Sequence, residues 1–143
     1  MSDSKCTDAS SVNLPNAVKK LLNEPNFAFM ATLMPDGSPQ LTPTWVDIEE
    51  NTILINTAEG RQKPRNIKRD PRVAIVVSPS NNPYAYASIR GTVIEITREG
   101  ADSHANKLAK KYLGKDHFPF NKPGEHRIII KINPSKISTL RID

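Results

Sequence analysis

Hydrophobic positions along the chain fall into two periods. Leu14, Val18, Leu21 and Leu22 recur at helical spacing, so Leu14 to Glu24 predicts a short amphipathic helix, with Asn13 suited to cap it and Pro15 to its first turn. Pro25 ends it. Phe27 to Met34 is an almost unbroken apolar run, the pattern of a buried strand, closed by a Pro35-Asp36-Gly37 turn. Gln40 to Ile48 alternates and predicts a second strand. Pro43 within it cannot donate to a ladder and points to an edge or a bulge. Thr52 to Thr57 predicts a third strand, Arg61 to Asp70 a helix with Pro64 near its start, and Arg72 to Ser78 another strand. Tyr84 to Thr97 reads as a longer strand bent at Gly91. Ala101, His104, Ala105, Leu108, Ala109 and Tyr112 mark one face of a helix that stops at Gly114. Glu125 to Ile132 predicts a last long strand, and Ile137 to Ile142 a short one.

Six or seven strands, joined mostly by short turns and interrupted by three helices, imply a mainly β (α+β) fold: an antiparallel sheet curled into a barrel with short flanking helices. The chain has 143 residues, enough for one domain, expected over residues 14–143. Residues 1–13, rich in Ser, Asp and Thr, are expected to be a disordered tail without the basic start and apolar centre of a signal peptide. Cys6, the single cysteine, lies in that tail, so no internal disulfide forms and the expected compartment is the cytoplasm. No segment reaches the ~20 apolar residues of a membrane span.

The formal net charge is +5, which suits an anionic partner without choosing one. Its placement is more informative. From Asn56 to Arg72 a strand ends at Thr57, a loop with Gly60 follows, and a helix begins near Pro64. Free N–H groups at a helix start favour an anion; Arg61 and Lys63 lie beside them, and Thr57 adds a hydroxyl. Those parts, in that order, predict a phosphate site. Arg65, Lys68, Arg69 and Arg72 lie beyond the first turn and read as a solvated basic face. Tyr84 and Tyr86, two residues apart on one strand, either flank a flat heterocycle or pack in the barrel. Trp45 reads as core or as ligand contact, and the irregular strand around Thr42, Pro43 and Thr44 could offer backbone groups to a planar ring. His104 reads as packing, and His117 and His126 have no metal-ligand spacing. No nucleophile or carboxylate pair stands out, which fits chemistry carried by a cofactor. Nucleic acid is disfavoured as a partner because no aromatic RNA-binding motif accompanies the basic run.

Four stretches carry a resemblance that covers about Leu14 to Ile137. They are Ala31-Thr32-Leu33 through Asp36-Gly37-Ser38-Pro39-Gln40 to Trp45; Gly60-Arg61-Gln62-Lys63-Pro64-Arg65-Asn66 through Asp70-Pro71-Arg72-Val73; Asn82-Pro83-Tyr84 through Arg90-Gly91-Thr92-Val93; and Lys111 to Asp116. Together they resemble the pyridoxamine-phosphate-oxidase-like split β-barrel superfamily, and most of all its deazaflavin-dependent oxidoreductase branch. The resemblance implies a homodimer with two cofactor sites at the subunit interface. It implies coenzyme F420, or alternatively FMN, and transfer of a hydride to a small unsaturated organic substrate. It implies that Thr57, Arg61 and Lys63 hold the cofactor phosphate, with Asn56, Gln62 and Pro64 also among the cofactor-binding residues. Leu41, Thr42, Pro43 and Thr44 would lie along the ring system, and Tyr84 and Tyr86 would reach the site across the interface. The chain departs from the vitamin-making oxidases: Gln62 precedes Lys63 where they carry an Arg-Lys pair, and Ser138 to Asp143 lack their tryptophan-containing motif. Pyridoxamine phosphate oxidation is therefore not expected.

Overall fold

The computed structural model describes residues 11–142. Its elements run α1 (Asn16–Asn23), β1 (Ala28–Leu33), β2 (Pro39–Thr44), β3 (Asp47–Glu49), β4 (Thr52–Ala58), α2 (Gln62–Arg69), β5 (Arg72–Val77), β6 (Tyr86–Thr97), α3 (Ala101–Leu113) and β7 (Arg127–Leu140). The strands form one antiparallel sheet in the order β2-β1-β5-β6-β7-β4-β3. The mainly β, curled architecture expected from the sequence is present.

The predicted second strand is two strands, and they lie on opposite edges of the sheet. Only Trp45 and Val46 separate Thr44 from Asp47, a span of at most about 11 Å. The sheet must therefore roll until its two edges almost meet, which is what makes it a barrel with a seam. The alternation that suggested one strand hides this corner, because Val46, Asp47 and Ile48 are all buried. At the corner, side chains of α3 replace ladder partners. The Val46 N–H donates to the Tyr112 hydroxyl at 3.0 Å, and Lys111 Nζ donates to the Val46 carbonyl at 2.6 Å. Pro43 sits on an edge strand, where its missing N–H costs no ladder bond.

Other boundaries also differ from expectation. Pro15, not Asn13, precedes α1, with no side-chain cap. Instead the Leu14 N–H donates to Asn51 Oδ1 and Asn51 Nδ2 donates to the Val12 carbonyl, both at 2.7 Å. Of the expected tail, residues 1–10 with Cys6 lie outside the described residues, while Val12 N–H donates to the Pro134 carbonyl at 3.0 Å. Tyr84 does not share a strand with Tyr86, because β6 begins at Tyr86 and Tyr84 stands in the preceding turn. The two last predicted strands are one, β7, running through Pro134. The ladder to β6 shifts register at Gly91, the predicted bend, and skips Ser135, so the proline sits in the irregularity.

In β1, Ala28, Met30 and Thr32 point into the barrel, whereas Phe27 and Phe29 are exposed. The run expected to be a buried strand is buried on one face only. The core joins α1 (Val18, Leu21, Leu22) to inward residues of the sheet, including Met30, Ile53, Ile55, Ile75, Ile89, Ile130 and Ile132. No helix among the described residues is long and apolar enough to cross a membrane.

Candidate functional site

A cavity of about 360 Å³ opens at the barrel seam. Part of its lining is polar. Asn56 and Thr57 come from the end of β4, Arg61 from the residue before α2, Lys63 from its first turn, and Arg127 from the start of β7. The rest is Phe27, Pro43, Thr44 and Trp45, together with Phe118 and Phe120 from the loop after α3. Trp45 stacks on Tyr112 (centroids 5.1 Å, planes 3° apart), and Phe118 meets Trp45 edge-on at 5.9 Å. Aromatic rings held against each other offer a stiff apolar wall to a flat molecule.

Burial lowers the pKa of Lys63, and the positive charge of Arg61 adds to that. Lys63 Nζ donates to Thr42 Oγ1 at 2.8 Å, which ties the helix start to edge strand β2. Arg61 donates to Glu125 at 2.8 Å, and this pair holds the Glu125 carboxyl below its ordinary range. Burial likewise lowers Arg127, again with Arg61 contributing. Arg61 is thus within Coulombic reach of both other cations.

A chain of hydrogen bonds, buried at its far end, runs inward from Arg127. Arg127 Nε donates to Asn56 Oδ1 at 2.9 Å. Asn56 Nδ2 donates to the Ala101 carbonyl at 2.9 Å and lies 3.1 Å from His104 Nδ1. With its oxygen taken by Arg127, the Asn56 amide faces His104 as a donor, so Nδ1 accepts and Nε2 carries the proton. Nε2 then donates to Asp47 Oδ2 at 3.0 Å. Desolvation opposes charge on Asp47, but hydrogen bonds from His104, Lys107 and the Ile48 N–H prevail and hold its carboxyl well below the usual range.

Six of the expected site residues meet at the cavity: Pro43, Thr44, Asn56, Thr57, Arg61 and Lys63. Thr42 is bonded to Lys63, and Leu41 points to solvent at 62% exposure. Gln62 turns to Asn66 and Arg65, and Pro64 is buried in the first turn of α2. Tyr84 and Tyr86 do not line the cavity of their own chain. Phe27, Phe118, Phe120 and Arg127 are cavity residues that sequence reasoning missed, and Trp45 is resolved as a wall of the cavity.

Fold and cavity together define a class: an antiparallel split barrel with a ligand-sized cavity across its seam. A family model described as pyridoxamine 5'-phosphate oxidase matches residues 14–141, and the chain belongs to that family. Its structure is similar to one solved as an F420 reductase, with 33% sequence identity, a TM-score of 0.75, and coverage of 87% of this chain and 98% of that one. A conserved hypothetical protein from Mycobacterium tuberculosis (21% identity, TM-score 0.68, 92% and 86% covered) shares the fold. So does a putative pyridoxamine 5'-phosphate oxidase from Listeria innocua (16% identity, TM-score 0.66, 87% and 96% covered).

Proposed function

We propose that this protein is a homodimeric cytoplasmic oxidoreductase that binds coenzyme F420 and serves hydride transfer to a small unsaturated organic substrate. The observation that carries the reading is a cavity lined both by cations (Arg61, Lys63 and Arg127) and by aromatic rings (Phe27, Trp45, Phe118 and Phe120). A phosphorylated cofactor with a planar ring calls for both kinds of group. The similarity to a solved F420 reductase favours the deazaflavin.

The bound cofactor would supply the hydride, and the chain's own residues would hold it. Thr57 and the N–H groups opening α2 would donate to its phosphate, with Arg61 and Lys63 supplying charge. Leu41 to Thr44 and Trp45 would lie along the ring, and the aromatic wall would keep water from it. Gln62 and Pro64 would set the helix start rather than touch the ligand. The extra cations of α2, Arg65, Lys68 and Arg69, add a positive field suited to the acidic tail of the deazaflavin. FMN is the second reading, favoured by the convergence of the cations on one place, since a single phosphate answers them.

The dimer is supported by apolar surface next to the cavity. Phe27, Phe29 and Leu41 are 53%, 45% and 62% exposed, and Tyr84 is 72% exposed. A second copy packed there would cover them and bring its Tyr84 and Tyr86 to the neighbouring site.

The test is a parallel fluorescence titration of the full chain with F420 and FMN. Tighter binding of F420 is expected. Arg61→Ala combined with Lys63→Ala should weaken it at least a hundredfold, on the order of 3 kcal/mol for two charge-assisted contacts. Unchanged affinity in that double variant would sink the clamp, and tighter FMN binding would move the function to flavin chemistry.

A further inference from the structure

Arg127 is the least satisfied group in the described interior. It is 6% exposed, yet its Nη1 is buried with no hydrogen-bond partner among the described residues. The nearest carboxylate oxygen, Glu125 Oε1, lies 4.0 Å away, beyond hydrogen-bond reach. An arginine left in that state costs free energy unless something answers it. Everything else about Arg127 fixes its position. Its backbone pairs with Ala58 in the β4–β7 ladder, its Nε is bonded to Asn56, and its guanidinium lies 4.4 Å from the centre of the Phe118 ring. The guanidinium is thus clamped on one face and one edge, and Arg127 lines the same cavity as Lys63 and Arg61.

We infer that Arg127 is a ligand-binding residue that donates to an oxyanion, a phosphate or carboxylate oxygen of the bound molecule, and that Asn56, His104 and Asp47 are positioning residues that aim it. A neutral acceptor such as a ring carbonyl would satisfy the hydrogen bond but not the charge. Three cations line the cavity; of the two carboxylates that act on Arg127, Glu125 is already paired with Arg61, and Asp102 acts only through space. The reading of the cavity as a cofactor site supplies the identity of the ligand. The oxyanion subsite itself rests on Arg127 and its neighbours.

The test compares ligands that differ only in their anion. Wild type and Arg127→Gln are titrated with FMN and riboflavin, and with F420 and the same deazaflavin lacking its phosphate tail. Thermal stability is followed in parallel with inorganic pyrophosphate. Losing one charge-assisted contact should weaken FMN and F420 about ten- to a hundredfold and leave their anion-free counterparts unchanged. Asn56→Ala should give a smaller loss of the same selectivity. Combined with Arg127→Gln it should add almost nothing, because both act through one guanidinium; a merely structural Asn56 would weaken all ligands alike and additively. Arg127→Lys, which keeps the charge but not the fork, should fall between wild type and Arg127→Gln, and it carries the test if the glutamine variant does not fold.

If pyrophosphate stabilises wild type but not Arg127→Gln while the FMN preference persists, the subsite stands and its oxyanion comes from a second molecule. If wild type binds no flavin or deazaflavin yet shows that Arg127-dependent pyrophosphate response, the cofactor reading fails and the subsite stands. Equal losses for FMN and riboflavin would assign Arg127 to the ring and overturn the inference. So would identical affinities and an identical pyrophosphate response in wild type and Arg127→Gln.

Discussion

Asp47 is a carboxylate 3% exposed to solvent, and its neighbours decide its charge. Its carboxyl is depressed in the folded chain and titrates near 4 in the unfolded one. Its contribution to stability is therefore complete above pH ~4 and is lost as pH falls toward the folded value. Urea unfolding between pH 7 and pH 3 should show wild type losing stability more steeply than Asp47→Asn. The variant should be less stable at pH 7 by on the order of 2 kcal/mol. Parallel slopes would remove Asp47 from the acid response. At this scale the sequence revealed residues whose chemistry follows from neighbours along the chain. Thr57, Arg61 and Lys63 were legible because a strand end, a loop and a helix start stand in order. Arg127 was not, because its partners Asn56 and Phe118 come from β4 and from the loop after α3, and nothing local distinguishes it from a surface arginine.

At the scale of elements, the seam depends on α3. The Tyr112 hydroxyl donates to the Asn26 carbonyl at 2.6 Å and accepts from the Val46 N–H, while its ring stacks on Trp45. Burial pushes the Tyr112 hydroxyl up to about 12, so it stays protonated and donating at any working pH. Tyr112→Phe keeps the stack and orphans two backbone groups, for a loss of about 2 kcal/mol in urea unfolding and a shift in emission of Trp45, the single tryptophan. An unshifted emission would mean that the corner holds without the hydroxyl. Gly91 is the second element-level constraint. A Cβ there would meet the Asn133 carbonyl oxygen at 2.6 Å and Ile132 Cγ2 at 2.8 Å. Gly91→Ala should therefore cost about 2 kcal/mol, and a neutral effect would mean that β7 can yield at its bulge. The sequence placed this bend because a glycine interrupts a strand pattern. It concealed the corner at Trp45 and Val46, where side chains of α3, distant in sequence, take over from ladder hydrogen bonds.

For the whole molecule, the exposed Phe29 and Leu41 mark the face on which the proposed second copy would sit. Leu41→Glu should convert a dimer to a monomer in sedimentation equilibrium while leaving the circular dichroism of the sheet unchanged. A wild-type monomer would remove the partner's tyrosines from the site. Barrel class and the three helices among the described residues were legible from periodicity, since strands joined by short turns leave few antiparallel arrangements. Strand order was not, because it is set by which edges meet when the sheet rolls.

That order has a consequence for synthesis. β7 is the strand that joins β6 to β4, so the β3–β4 hairpin has no place in the sheet until β7 arrives. A ribosome releases β1 to β6 first, as two pieces waiting for a bridge, and Arg127 enters with the bridge itself. The cavity is therefore the last part of the barrel to exist, and a nascent chain offers no ligand a foothold before its final strand has been made.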